Sequence, residues 1–146
     1  ASVVYTARQA KPQAVGKPCS FDELLRVSDI VSLHVPLTPE TVRLMDATAF
    51  ARMNPGSVFI NTARDGLVDE PALIAALQSG HLRAAGLDVF ADEPIHADNA
   101  LLTLENVVVT PHIGWLTPET LERSCTIAFE NCRRLRAGEP LLHGVA

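Results

Sequence analysis

The stretch SVFINTARDGLVDEPALIAALQSGHLRAAGLDVF, residues 57–90, decides the fold of this chain. An apolar, β-branched run over 57–64 predicts a strand, and AAGLDVF at 84–90 predicts a second strand. Residues 69–80 between them predict a helix, because leucine and alanine recur there at helical spacing. Asp69 can cap this helix, Pro71 suits its first turn and Gly80 ends it. Strand, helix and strand in this order predict a βαβ unit with two parallel strands.

The same alternation of short apolar runs and helical patterns continues on both sides of this unit. Apolar runs predict further strands at 2–6, 29–36 and 107–110. Helical patterns lie at 20–28, 38–53 and 118–137. The first of these helices opens with a capping box, Ser20 followed by Glu23, and the second is one helix or two short ones. The alternation predicts an α/β domain built on a doubly wound parallel sheet, with helices covering both of its faces.

Composition excludes several classes of protein. A chain of 146 residues has the length of one domain, and 47% hydrophobic residues are enough for a sizeable core. The net charge of −5 gives no basic surface for nucleic acid or an anionic membrane, and no apolar run reaches the length of a membrane span. The cysteines are odd in number and lack a CxxC spacing, which predicts reduced thiols, no metal site and a cytoplasmic protein.

Polar side chains follow three successive predicted strands. Arg64 follows the first, Asp88 and Glu93 follow the second, and His112 follows the third. Ligands of open parallel sheets bind beyond the carboxyl ends of the strands, so we expect these side chains to share a site. A histidine beside a carboxylate can donate a proton, and a guanidinium can hold a carboxylate through two hydrogen bonds. The set therefore suits reduction of the carbonyl of a 2-oxo acid, with the hydride taken from a nicotinamide cofactor.

These residues lie within a resemblance to a known family. The stretches that carry it are VSLHVPLTPETVRLM, NPGSVFINTARDGLVDEPALIAAL, AAGLDVFADEP and VVVTPHIG, over most of residues 29–115. They resemble the nucleotide-binding domain of the D-isomer-specific 2-hydroxyacid dehydrogenases, among them the glyoxylate/hydroxypyruvate reductases. The resemblance implies a Rossmann-type fold and an NAD(P)-dependent oxidoreductase acting on a small 2-oxo or 2-hydroxy acid. It further implies that Arg64 binds the substrate carboxylate and carbonyl, that His112 is the general acid/base and that Glu93 is the partner of His112.

The resemblance also implies the cofactor contacts. Asp88 matches the residue that binds the nicotinamide carboxamide. The other matching cofactor positions are Val35, Pro36, Thr62, Ala63 and Gly114, together with Arg64 and His112 of the catalytic set. Thr6 stands where NAD-using members of the family place an acid on the adenosine ribose, and Arg8 follows two residues later. A hydroxyl and a guanidinium suit a 2′-phosphate, which favours NADP(H), with NAD(H) as the alternative.

Two positions depart from the pattern of the family. Asp65 stands where glycine is usual, and an acid there weakens the field of the substrate arginine unless it points to solvent. Trp115 stands where small residues are common, and it either narrows the substrate pocket or packs at a domain interface.

The expected G-x-G-x-x-G turn does not precede the strand at 2–6. In the usual strand order, a missing first strand is expected between 2–6 and 57–61. We therefore expect residues 1–146 to be an incomplete dinucleotide-binding domain, without the substrate domain, of a longer enzyme that forms a homodimer. The fragment alone is then weakly active at most. The alternatives are a dinucleotide-sensing binding module of the corepressor type and an inactive fragment.

Overall fold

The computed structural model describes residues 1–9 and 11–144, which form two compact units, one from Ala1 to His112 and one beginning at Ile113. The strands of the first unit are β1 (Val4–Tyr5), β2 (Lys17–Pro18), β3 (Ile30–Leu33), β4 (Ser57–Asn61), β5 (Leu82–Leu87) and β6 (Val107–Val109). Its helices are α1 (Phe21–Val27), α2 (Ala47–Arg52) and α3 (Glu70–Gln78), with 3₁₀ turns at Asp65–Leu67 and Ala100–Thr103. The second unit contains α4 (Pro118–Ala137). Within the part of the chain that is described, no helix combines the length and apolar character needed to cross a membrane.

The predicted βαβ unit is confirmed as β4, α3 and β5. These strands belong to a parallel four-stranded sheet in the order β3-β4-β5-β6. The strand β4 ends at Asn61 instead of continuing to residue 64, because the Asn61 side chain accepts the N–H of Ala63 and turns the chain. The strand β5 begins at Leu82, earlier than predicted, and ends at Leu87, immediately before Asp88.

The helix termini follow the predicted capping residues. The Ser20 hydroxyl accepts the N–H of Glu23 at 3.2 Å, and the Asp69 carboxylate accepts the N–H of Ala72 at 3.2 Å. Gly80 follows α3 with a φ of +74°, a conformation that glycine adopts without strain. In the predicted region 38–53 only α2 is helical.

The core lies on one face of the sheet. Alternate strand residues are buried against the helices there, and the Phe50 ring of α2 packs edge-to-face on Phe59 of β4, with ring centroids 5.2 Å apart. On the other face, Ile30 is 62% exposed and Val108 is 70% exposed. Within the described first unit, these two residues lie on the face of the sheet opposite the core. The connections from β3 to β4 and from β4 to β5 cross the sheet in the same direction, so right-handed crossovers place α2 and α3 on the same face.

The expected gap in the sheet lies elsewhere than predicted. The neighbours of β4 are β3 and β5, so no position is open between it and the strand at 2–6. Instead β1 pairs in parallel with β2, and no strand pairing among the described residues joins these two to β3. The break therefore lies between β1 and β3. The sequence did not reveal β2, because two exposed residues, one of them a proline, carry no apolar alternation.

Candidate active site

The sheet brings the predicted site residues to one edge. Arg64 lies three residues beyond β4, Asp88 directly follows β5 and His112 lies three residues beyond β6. Since β4, β5 and β6 are neighbouring parallel strands, all three positions are at the carboxyl edge. Glu93 belongs to the loop that leaves β5. The expected gathering of an arginine, two acids and a histidine at this edge agrees with the topology of the sheet.

Glu93 and His112 form a directly bonded pair. The His112 Nδ1 atom lies 2.8 Å from Glu93 Oε2, and each side chain is 39% exposed. The other carboxylate oxygen, Oε1, accepts the N–H of Phe90 at 3.1 Å. These hydrogen bonds, first that with His112 and then that with Phe90, hold the pKa of the Glu93 carboxyl below its usual range. An ionised Glu93 assigns the proton of the imidazole to Nδ1 and fixes the orientation of the ring.

The backbone at His112 has an unusual conformation. Its φ of +54° is in the left-handed region, which residues other than glycine seldom adopt. The preceding Pro111 has no N–H to continue the ladder, and the His112 N–H donates to the carbonyl of Thr110 at 3.0 Å. Such conformations cluster at functional sites, where the surrounding structure maintains them. Here the bond to Glu93 maintains the position of the ring.

The loop that carries Arg64 is held by a buried residue that the sequence reading did not assign to the site. Asn61 is 2% exposed, and its amide nitrogen donates to the carbonyl of Arg64 at 2.9 Å. Its amide oxygen accepts the N–H of Ala63 at 3.0 Å, so one side chain binds two points of the loop. The Arg64 guanidinium donates to the carbonyl of Ala63 at 2.6 Å and forms no ion pair within the described residues. The available signal was an asparagine at the end of a buried strand, where Asx turns are common.

Asp88 is a buried acid between the other two strand ends. It is 3% exposed, and its N–H donates to the carbonyl of Asn61 at 3.0 Å. Its Oδ1 atom accepts a short hydrogen bond, 2.5 Å, from the Thr110 hydroxyl. A buried carboxylate with such partners is a fixed acceptor at the site. Thr110 is a second residue that the sequence reading missed.

A cavity of about 270 Å³ opens beside the bonded pair. Its walls are mainly apolar, and Glu93 and His112 form part of them. The remaining lining residues are Phe90, Pro94, Ile95, Val109, Thr110 and Pro111. The bonded pair thus forms the polar part of a mostly apolar cavity wall.

The predicted cofactor residues of the first unit follow the ends of several strands. Thr6 and Arg8 come after β1, while Val35 and Pro36 come after β3. Thr62 and Ala63 come after β4. Gly114 and Trp115 belong to the second unit, so the structure does not place either with these residues.

The residues present fit a nicotinamide dinucleotide. Arg8 is exposed, as a ligand for a phosphate must be, and Thr6 offers a hydroxyl nearby in the chain. Hydrogen bonds with Thr38 and with its own backbone lower the pKa of Glu40, and the positive charge of Arg8 adds to the effect. For the nicotinamide part of the cofactor, the buried Asp88 carboxylate can accept a hydrogen bond from the N–H of the carboxamide.

The departure at Asp65 has a measurable consequence. Burial raises the pKa of this carboxyl, and the negative charges of Glu70, Glu93 and Asp92 raise it further. A raised pKa in the folded state means that ionised Asp65 destabilises the fold above its ordinary pKa, and that this cost vanishes as the pH falls below it. We expect Asp65→Asn to raise Tm by roughly 2 °C at pH 7 and to leave it unchanged near pH 3.

The control for this prediction is Asp29→Asn, which changes an exposed aspartate immediately before β3. Thermal unfolding of both variants over a pH series measures the effect. A gain for Asp65→Asn that persists at low pH, or an equal gain for the control, would contradict the assigned charge repulsion.

Comparison with known proteins identifies the class. Residues 1–114 match the family model described as "D-isomer specific 2-hydroxyacid dehydrogenase, NAD binding domain". The chain therefore belongs to the D-isomer-specific 2-hydroxyacid dehydrogenase family through its NAD-binding domain, and the predicted Rossmann-type fold is confirmed.

Individual relatives carry two different names. The chain is 52% identical over 120 residues to D-3-phosphoglycerate dehydrogenase of Mycobacterium leprae, covering 82% of this chain and 22% of the relative. It is 47% identical over 133 residues to glyoxylate/hydroxypyruvate reductase B of Citrobacter koseri, covering 88% and 41%. A crystal structure of a D-isomer specific 2-hydroxyacid dehydrogenase from Xanthobacter autotrophicus, in complex with NADPH and MES, is 41% identical with a TM-score of 0.81. That match covers 99% of this chain and 61% of the Xanthobacter chain. The chain thus spans less than half the length of the curated relatives named here.

Proposed function

We propose that this chain is the cofactor-binding part of an enzyme that reduces a small 2-oxo acid to the D-2-hydroxy acid with NADPH. Glyoxylate and hydroxypyruvate are the expected substrates. The observation that carries the proposal is the Glu93–His112 pair, bonded at 2.8 Å, one strand end away from Asp88 and two from Arg64. A proton donor, a carboxamide acceptor and a carboxylate-binding cation at adjacent strand ends are what such a reduction needs.

The residues divide the chemistry as follows. Arg64 binds the substrate carboxylate through two parallel hydrogen bonds and polarises the neighbouring carbonyl. His112 gives the carbonyl oxygen a proton from Nε2 as that oxygen becomes a hydroxyl, and Glu93 stabilises the ring throughout the transfer. The nicotinamide, when bound, supplies the hydride to the carbonyl carbon. Asp88 orients its carboxamide, and the remaining predicted contacts line its path along the sheet edge.

The preference for NADPH depends on the end of β1. We expect Arg8→Gln to lower kcat/KM for NADPH by about tenfold and to leave the value for NADH within twofold, because a charge-assisted bond to the 2′-phosphate is lost. Arg83→Gln, on the exposed side of β5, is the matched control. Equal losses with both cofactors would contradict the assignment of Arg8 to the phosphate.

The proposed protein is a homodimer in which a second domain completes the substrate pocket. Support for a second domain comes from the coverage of the relatives, 22% and 41% of their lengths. Because one relative is a phosphoglycerate dehydrogenase, 3-phosphohydroxypyruvate is included among the acids tested.

The test is turnover by the complete natural polypeptide that contains these residues. NADPH oxidation is followed with glyoxylate, hydroxypyruvate, pyruvate and 3-phosphohydroxypyruvate at equal concentrations. The proposal predicts highest kcat/KM with glyoxylate or hydroxypyruvate. Tight NADPH binding without turnover of any acid would contradict the proposed reductase and favour a dinucleotide-sensing binding module. Neither binding nor turnover would indicate an inactive fragment.

A further inference from the structure

We propose that Thr110 is a positioning residue that orients the Asp88 carboxylate toward the cofactor carboxamide, an inference that rests on the proposed function. The Thr110 hydroxyl donates to Asp88 Oδ1 at 2.5 Å. This hydrogen bond is short, and Asp88 is almost fully buried, so water competes little for its carboxyl group. The hydroxyl therefore fixes the plane of the carboxylate.

Thr110 reaches Asp88 because of the register of β5 and β6. Leu87 pairs with Val109, so the next residues of the two strands, Asp88 and Thr110, lie side by side. The Thr110 N–H also donates to the carbonyl of Leu87 at 2.9 Å, which continues the ladder by one bond. The main chain thus sets the distance between the two residues, and the hydroxyl supplies the bond between their side chains.

A second bond joins the same two strand ends further out. Asp88 is followed by the Phe90–Glu93 loop, and Thr110 is followed by His112. The His112–Glu93 contact at 2.8 Å closes a ring that begins at the Thr110–Asp88 contact. Thr110 is therefore the inner link of a ring whose outer link is the proton-donating pair. The same ring of contacts therefore positions both Asp88, which accepts from the carboxamide, and His112, the general acid.

The proposed role requires the hydroxyl group of threonine, which valine lacks. Valine has nearly the same shape and keeps the β-branched side chain that suits a strand end, but it has no donor. Thr110→Val therefore removes the bond with little change in packing volume. Thr110→Ser keeps the donor and removes one methyl group.

The experiment measures ligand binding to the complete polypeptide by isothermal titration calorimetry. Two probes are compared: NADPH, and 2′-phospho-ADP-ribose, which has the same phosphates and adenosine but no nicotinamide. We expect Thr110→Val to raise the Kd of NADPH about tenfold and to change the Kd of 2′-phospho-ADP-ribose by less than twofold. Thr110→Ser should restore the Kd of NADPH to within about threefold of the natural protein.

Two controls separate positioning from general stability. Thr103→Val removes another threonine hydroxyl, one that donates to the carbonyl of Ala100 within the 3₁₀ turn before β6, and should change neither Kd. Asp88→Asn combined with Thr110→Val should lose no more affinity for NADPH than Asp88→Asn alone, because the threonine acts through the acid.

The outcomes distinguish this inference from the proposed function. If the natural protein binds NADPH but Thr110→Val binds it equally well, or loses affinity for both probes alike, the role of Thr110 is overturned alone. If the natural protein binds neither probe, the proposed function and this inference are both overturned. A selective loss for NADPH, with rescue by serine, supports the inference.

Discussion

Replacing His112 by asparagine is expected to lower kcat/KM for reduction of the 2-oxo acid by about 10²–10⁴-fold. The residue lies 2.8 Å from Glu93 and is the proposed proton donor to the carbonyl oxygen. Asparagine is the informative replacement, because it adopts a positive φ more readily than most residues and so preserves the backbone at +54°. The Kd of NADPH should change far less than kcat/KM, because the main loss is the proton given to the carbonyl oxygen in the transition state.

The chain contains a matched control for this substitution. His143 is also a histidine with a positive φ, +53°, and it belongs to the second unit. His143→Asn makes the same chemical change at the same backbone conformation and should leave kcat/KM within twofold. If His112→Asn kept more than a tenth of the natural activity, His112 would not be the general acid.

Replacing Arg64 by lysine is expected to lower kcat/KM by about a hundredfold, with most of the loss in KM. Lysine keeps the positive charge but lacks the planar fork that binds a carboxylate through two parallel bonds. The loop should retain its shape, because Asn61 holds it through the Arg64 carbonyl and the Ala63 N–H and not through the arginine side chain.

Steady-state kinetics with glyoxylate and hydroxypyruvate measure this effect. The control is Arg83→Lys, which changes an exposed arginine on β5 and should leave both kcat and KM unchanged. A lysine variant with an unaltered KM would show that Arg64 does not bind the substrate carboxylate. Loss of activity by the Arg83 variant as well would point to a general change in the protein.

The sequence was sufficient to predict the βαβ unit and the edge at which the site residues gather. Asp69 caps the start of α3 and Gly80 follows its end, as the local sequence predicts. The common edge for the site residues follows because parallel strands place their carboxyl ends on the same side of the sheet. The assignment of roles to Arg64, Glu93 and His112 came from the resemblance, since the same residue types at strand ends serve many chemistries.

Other features depend on long-range contacts that local patterns do not contain. The short strand β2 forms because β1 pairs with it, and the position of α2 and α3 on one face of the sheet follows from the direction of successive crossovers. Asn61 and Thr110 read as ordinary polar residues after apolar runs. Their hydrogen bonds to the Arg64 loop and to Asp88 form only when the chain folds and the strands lie side by side.

The central claim is that this site transfers a hydride from NADPH to a 2-oxo acid while His112 supplies the proton. The most direct test uses NADPH carrying deuterium at both C4 positions, hydroxypyruvate and the complete polypeptide, with the product analysed by mass spectrometry and chiral chromatography. The account predicts D-glycerate with one deuterium at C2, formed far more slowly by His112→Asn. Glycerate without deuterium or L-glycerate would contradict it, as would the absence of a deuterated product from both hydroxypyruvate and glyoxylate.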